Sequence, residues 1–330
     1  YIQKILYTKR PIVYIDCFAG KGKFEDGKPG SPLIALNTMQ ECLDQTKING
    51  CSIRPFFIDL NYADDLRVNL AEYGKVGIIA GRYENEIEKL LADQSGCNIF
   101  LYIDPYGIKA LDYRLFQSFS TQYKFNSIEL LINMNSFGFI REGCRVLGVP
   151  FEDIAIFDDL IEYESTKLEV NEKSITILNN IAGGDYWQAI IKAKNRNELS
   201  IYEAEAQFAE QYCNRLRQNY KYVLNMPLRI KRGQLPKYRM IHATNHVEGC
   251  LLMVDNICGR WQLMKDIQDG GQIMKYGPIC KVSVIKSVFK DLQNQGKLEA
   301  RRTPAYTKRG NPSTFWADEK KQKTEIRWHL

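Results

Sequence analysis

The sequence predicts an α/β protein: a doubly wound, mostly parallel seven-stranded sheet, a helical insertion, and a C-terminal winged helix-turn-helix. Three observations carry that prediction. From residue 11 to about 135, apolar runs, several ending in an acid, alternate with helix-patterned segments. From about 138 to 220 the chain is polar and helical in pattern, with no strand signal. From about 260 it reads as helix, glycine stop, strand, basic loop, strand. With 330 residues, 45% hydrophobic and 12% aromatic, there is enough chain for about two domains. We place them at 1–260 and 261–330.

The elements follow in order. "IVYID" (12–16) is an apolar strand ending in Asp16, and "SPLIALNTMQECL" a helix with Ser31 as N-cap and Pro32 at its first position. "IRPFFIDLN" is a second strand carrying Asp59, followed by "YADDLRVNLAEYG", a helix closed by Gly74. "VGIIAG" and "NIFLYIDPYG" are strands three and four, with the helix "ENEIEKLLADQ" between them, and "SIELLINMN" is the fifth. Continuous apolar strands separated by helices imply a parallel sheet covered on both faces. In the insertion, Ser200 and Glu203 form a capping-box pattern. "YVLNMPLRI" and "YRMIHATN" give two more strands, followed by the helix "EGCLLMVDNIC". In the last segment Val284, Ile285, Val288, Phe289 and Leu292 fall on one helical face.

Composition removes several classes. No run of about 18 apolar residues exists, so no membrane span is expected, and "YIQKILYTKRP" is too short and polar for a secretory signal. Nine cysteines are scattered without a C-x-x-C pair, and the three histidines are not grouped with them. Reduced thiols in a cytoplasmic protein, with no metal site, is the reading. Charge is uneven: residues 261–330 carry 14 Lys and Arg against 7 Asp and Glu, whereas residues 1–260 carry 31 against 32. The basic excess of the tail suits an acidic partner.

The stretch "VYIDCFAGKGKFEDGKPGSP" (13–32) holds the most specific pattern. A P-loop would need Ser or Thr after a suitably placed Gly-Lys, and none is present. A dinucleotide fingerprint would run from G-x-G-x-x-G straight into a helix, yet here the acid precedes the turn and the helix waits until Pro32. The arrangement Asp16, Phe18, Ala19, Gly20, Gly22 instead resembles the first motif of class I S-adenosylmethionine-dependent methyltransferases, especially those acting on nucleic acids. That resemblance implies glycines that let backbone approach the cofactor's methionine part, with the acid taking or lying close to its ammonium group. It also implies that Asp59 meets the ribose hydroxyls. Arg82 stands where an acid or amide would contact adenine, with Tyr83, Glu84 or Asn85 as substitutes. "DPYG" resembles the [D/N]-P-P-[Y/F/W] motif of amino-methyltransferases, with one proline fewer. By that likeness Asp104 and Pro105 accept hydrogen bonds from a target amine and Tyr106 stacks on the base. The segment "KFEDGKPG" is expected to cover or gate the site.

With "FFIDLN", "LYIDPYG" and "YRMIHATNHVEGCLLMVDNI" added, nearly the whole chain resembles the three-Cys-motif partner protein family. That likeness implies a methyltransferase-like fold, a C-terminal winged helix and a partner protein. On the substrate side, Arg229, Lys231, Arg232, Lys237 and Arg239 flank the loop between strands six and seven. Lys286, Lys290, Arg301, Arg302, Lys308 and Arg309 lie in the winged unit. Both sets are candidates for phosphate contacts. His242 and His246 are candidate general bases. The overall expectation is a nucleic-acid methyltransferase acting at a base nitrogen, on an extruded or single-stranded base. The alternative is a binding module that works through its partner without methylating.

Overall fold

The computed structural model describes residues 1–46, 52–151, 168–169, 171–228, 236, 238–268, 290–306 and 323–329. They pack as two compact units, Tyr1–Cys250 and Leu251–Leu330. The first unit opens with α1 (Ile2–Leu6) and β1 (Ile12–Asp16), then α2 (Ser31–Gln45), β2 (Ile53–Asp59), α3 (Ala63–Asn69) and β3 (Gly77–Ala80). Next come α4 (Tyr83–Ala92), β4 (Asn98–Ile103), α5 (Tyr113–Thr121) and β5 (Ser127–Met134). Helices α6 (Ser136–Val146), α7 (Glu172–Ala182), α8 (Tyr186–Asn195) and α9 (Ile201–Leu216) follow where the insertion was expected. Strands β6 (Tyr222–Leu228) and β7 (Tyr238–Thr244) complete the sheet, and α10 (Val247–Gln268) leads out of the unit.

The seven strands make one sheet in the order β3-β2-β1-β4-β5-β7-β6. Strands β1 to β5 are mutually parallel, and β7 is antiparallel to both β5 and β6. That makes β6 parallel to the rest. Chain order leaves β1 towards β2 on one side and resumes at β4 on the other, so the topological switch point lies between β1 and β4. Ligands of open α/β sheets bind beyond the carboxyl ends of the strands there.

Alternation of side chains across the sheet builds two layers. On one face Val13 registers with Ile99, Ile15 with Leu101, and Ile103 with Ile132, all within the main core. Each such side chain contributes about 1.5–3 kcal/mol when fully buried. Helix α4 adds Tyr83, Ile87 and Leu91, α5 adds Phe116 and Phe119, and Phe208 of α9 stacks on Phe139 of α6 at 4.1 Å. On the other face Tyr14 registers with Phe100 and stacks on it at 6.0 Å. The capping box of α9 is present as the sequence implied, with Glu203 N–H donating to Ser200 Oγ and Ser200 N–H to the Glu203 carboxylate.

In the second unit a helix ending at residue 294 closes on Gly296 at φ +71°. Gly296 N–H donates to the Gln293 carbonyl and Lys297 N–H to that of Leu292, the paired bonds of a Schellman stop. Strand β8 (Leu298–Thr303) then pairs antiparallel with β9 (Lys323–Trp328). The glycine stop and the first strand fall where the sequence implied them; the second strand was expected before Asp318, outside the described residues, whereas β9 begins at Lys323. The basic tip between the strands and most of the preceding helical pattern lie outside the described residues.

Candidate functional site

Asp16 ends β1, Asp59 ends β2, and Asp104 directly follows β4, so three adjacent parallel strands each deliver a carboxylate at the same edge. The turn after β1 is tied to both neighbours. Cys17 N–H donates to the Tyr102 carbonyl, Ala19 N–H to the Ile58 carbonyl, and Gly20 N–H to Asp59 Oδ2 at 2.8 Å. Gly20 has φ +61° and open space where a Cβ would stand, so its backbone is bare on that side. Gly22 has φ +81° and sits against Leu66, leaving little room for a side chain. These are the positions where the turn requires glycine.

Asp16 is fully buried. Its Oδ1 accepts from Phe18 N–H at 3.2 Å and its Oδ2 from the Ser31 hydroxyl at 2.7 Å. Burial pushes its carboxyl up from 3.8 to about 6; the Ser31 and Phe18 bonds oppose this, and the charges of Asp104 and Asp59 add to it. Asp16 thus organises the turn from beneath. Ser31 differs from its expected role: Gly30 is the N-cap of α2, and the Ser31 hydroxyl is spent on Asp16.

Asp59 is committed in part. Its Oδ1 accepts from Asn61 and Tyr62 N–H, both at 2.8 Å, and its Oδ2 from Gly20. A carboxylate offers about four lone-pair sites, so one remains on Oδ2 for a hydroxyl donor. Asp104 receives one donor on each oxygen: the Tyr102 hydroxyl on Oδ2 at 3.0 Å and Asn133 Nδ2 on Oδ1 at 2.8 Å. Burial, then the charge and bond of Asp104, hold the Tyr102 hydroxyl well above its ordinary range, so it stays a proton donor. Pro105 is buried, while Tyr106 is 64% exposed at the mouth of the crevice.

Two expectations for the adenine end separate. Arg82 precedes α4 at the end of the β3 turn, near the same edge. Tyr83 is a correction: it is 2% exposed, packs on Phe18 at 5.2 Å, and heads the stripe Tyr83, Ile87, Leu91. Spacing by four puts it on the core side of α4, and its hydroxyl is buried without a hydrogen-bond partner. The segment after Gly22 is a clipped hairpin. Gly30 N–H donates to the Gly22 carbonyl and Phe24 N–H to that of Lys28, and Asp26 pairs with Lys28. Phe24 projects from it, 65% exposed.

The basic candidates divide in the same way. Arg239 is a second correction, because it is buried and bidentate with Glu205 at 2.6 Å, with a further bond to Asn225. Starting β7 on the core face, it anchors α9 to the sheet, and its guanidinium is sealed from phosphate. Lys290 and Arg301 are exposed, and Arg301 pairs with Glu299 at 2.9 Å. Arg229, Lys231, Arg232, Lys237, Lys286, Lys308, Arg309 and the side chain of Arg302 lie outside the described residues. His242 is buried against Glu129 at 3.0 Å, and His246 reaches the Asn126 carbonyl before β5. Neither approaches the carboxylate edge. Among the described residues no His, Cys, Asp and Glu cluster could hold a metal, and no helix is long and apolar enough to cross a membrane.

Sequence reasoning missed Ser31, Tyr102 and Asn133. Tyr102 was legible in principle, since residues two apart on a strand share a face. Asn133 needed the β4–β5 register.

No protein-family model and no curated protein matches this chain. Among solved structures it is similar to the cyclopropane synthase MmaA2 of Mycobacterium tuberculosis, at 11% identity over 74% of this chain and 82% of that one, TM-score 0.30. It is also similar to the plantazolicin methyltransferase BamL, solved with a triazolic desmethylPZN analog and SAH, at 12% identity over 74% and 84%, TM-score 0.31. A third is a putative sarcosine dimethylglycine methyltransferase of Galdieria sulphuraria, at 10% identity over 74% and 83%, TM-score 0.27. The strand order and the carboxylate edge, not these shallow likenesses, carry the functional reading.

Proposed function

We propose that this chain is an S-adenosylmethionine-dependent methyltransferase that modifies nucleic acid at a base nitrogen and works with a partner protein. One observation carries the reading: carboxylates at three adjacent strand ends flank the switch point, beside a glycine turn whose backbone is bare. A cationic, hydroxyl-bearing cofactor suits that edge. Gly20 and Gly22 would admit its methionine part, Asp16 would supply negative charge beneath the turn, and Asp59 would use its remaining lone pair on the ribose diol. The cofactor, when bound, supplies a methyl group on a sulfonium centre. Asp104 and the Pro105 carbonyl would accept N–H bonds from the target amine, and exposed Tyr106 would stack on its ring.

The nucleic-acid target draws support from the basic excess of residues 261–330. The partner protein, and the winged helix as the nucleic-acid reader, rest on the family resemblance. A non-methylating binding module is the second reading, favoured by the three backbone and turn bonds that already occupy Asp59. Label transfer from methyl-labelled S-adenosylmethionine to DNA, RNA and protein mixtures tests the choice. Incorporation into nucleic acid that is lost in Asp104→Ala supports the enzyme. Cofactor binding without incorporation favours the module, and incorporation undiminished by Asp104→Ala removes that residue from its role.

A further inference from the structure

On the face of the sheet that carries Asp16, Tyr14 of β1, Phe100 of β4 and Leu131 of β5 form an apolar stretch just behind the carboxyl edge. Apart from the buried Glu129–His242 pair, it turns polar at the carboxyl edge, where Tyr102 of β4 and Asn133 of β5 point to the same side. Asn133 is a poor choice for stability alone. Its Oδ1 is buried without a hydrogen-bond partner, and its one side-chain bond runs from Nδ2 to Asp104 Oδ1. A leucine there would continue the apolar face and leave no orphaned amide oxygen. Tyr102 likewise spends its hydroxyl on Asp104 alone. Two strands therefore each give a side chain to one partly exposed carboxylate, one donor per oxygen.

We propose that Tyr102 and Asn133 are positioning residues that clamp the Asp104 carboxylate, so that one free lone pair on each oxygen faces the crevice to receive the N–H groups of a substrate amine. This deepens the methyltransferase reading and rests on it. A carboxylate free to rotate about its Cβ–Cγ bond would lose that orientation, and misplacement of this kind costs about 10- to 100-fold in rate. The clamp also explains why an unsatisfied amide persists at a strand position suited to a hydrophobe.

The test uses the full chain and the variants Asn133→Leu, Tyr102→Phe and their combination. The probes are methyl-labelled S-adenosylmethionine and random-sequence single-stranded DNA and RNA oligonucleotides. The proposal expects kcat to fall about 10- to 100-fold in the double variant, with cofactor Kd unchanged. In an Asp104→Ala background the same substitutions should cause no further fall. Asn133→Leu should unfold at the same or a higher temperature than the parent, an outcome that a merely structural asparagine would not give. Additive losses on top of Asp104→Ala, or a lower unfolding temperature with kcat unchanged, would overturn the clamp. If the parent protein labels neither probe, the methyltransferase reading on nucleic acid fails separately. The clamp is then decided by a crystal structure of the double variant: a rotated Asp104 carboxylate supports it, and an unmoved one refutes it.

Discussion

Replacing Asp16 by asparagine should stabilise this protein at neutral pH, although Asp16 organises the turn at the centre of the site. Its folded carboxyl is raised from 3.8 to about 6, chiefly by burial. The folded state therefore holds the proton more tightly than the unfolded chain. That contribution is fully present below about pH 4 and is lost as pH rises through 6. A displacement of about 2 pH units corresponds to ~3 kcal/mol between neutral and ionised forms. Asparagine keeps the shape, can accept from Phe18 N–H through Oδ1, and can donate to Ser31 Oγ through Nδ2. It carries no charge beside Asp59 and Asp104. Asp16→Asn should thus be close to the parent at pH 4 and up to ~3 kcal/mol more stable at pH 8, or about 6–12 °C in unfolding midpoint for a unit of this size. Thermal unfolding across pH 4–8, followed by circular dichroism, reads this directly. A difference that does not grow with pH, or a variant less stable than the parent at pH 8, would refute the reasoning. The parent retains the charge at a cost in stability, as expected where a site needs it.

Other outcomes follow from the same geometry. Gly20→Ala should cost only about 1–2 kcal/mol for its left-handed backbone, but the added methyl enters open space on the bare side of the turn. Its effect on S-adenosylmethionine affinity by calorimetry should therefore exceed its effect on stability. Arg239→Met strips the partner from buried Glu205 and should cost about 3–5 kcal/mol in urea unfolding, while leaving the salt dependence of oligonucleotide binding unchanged. Tyr83→Phe removes a buried hydroxyl with no partner, so stability should hold or rise by up to about 1 kcal/mol, with cofactor affinity unaltered. A loss of cofactor affinity in that variant would return Tyr83 to the site.

Much of the first unit was legible because its strands are short apolar runs punctuated by acids, glycines and prolines. The acids ending β1 and β2 and following β4 could be read as one edge before any coordinates, since a doubly wound sheet leaves few other places for them. What periodicity missed are relations between strands. Tyr83 looked available because it stands beside Arg82 at a strand end, but the spacing to Ile87 and Leu91 turns it inward. Arg239 looked like one more charge of a basic loop, and only the buried Glu205, 34 residues earlier, makes its position clear. Asn133 gave no signal in one dimension, because its role depends on Asp104 falling beside it in the β4–β5 register. Ser31 was recognised as a helix-start residue, yet its hydroxyl goes to Asp16, 15 residues back, and not to its own helix.

The central claim is that the edge formed by Asp16, Gly20, Asp59 and Asp104 holds S-adenosylmethionine. Isothermal titration of the full chain with that cofactor, beside the variant Asp59→Ala, tests it most directly. One site per chain should titrate, with affinity at least about tenfold weaker in the variant, the 1.4 kcal/mol expected from a lost charge-assisted bond to the ribose. No binding by the parent protein, or binding indifferent to Asp59→Ala, would contradict it.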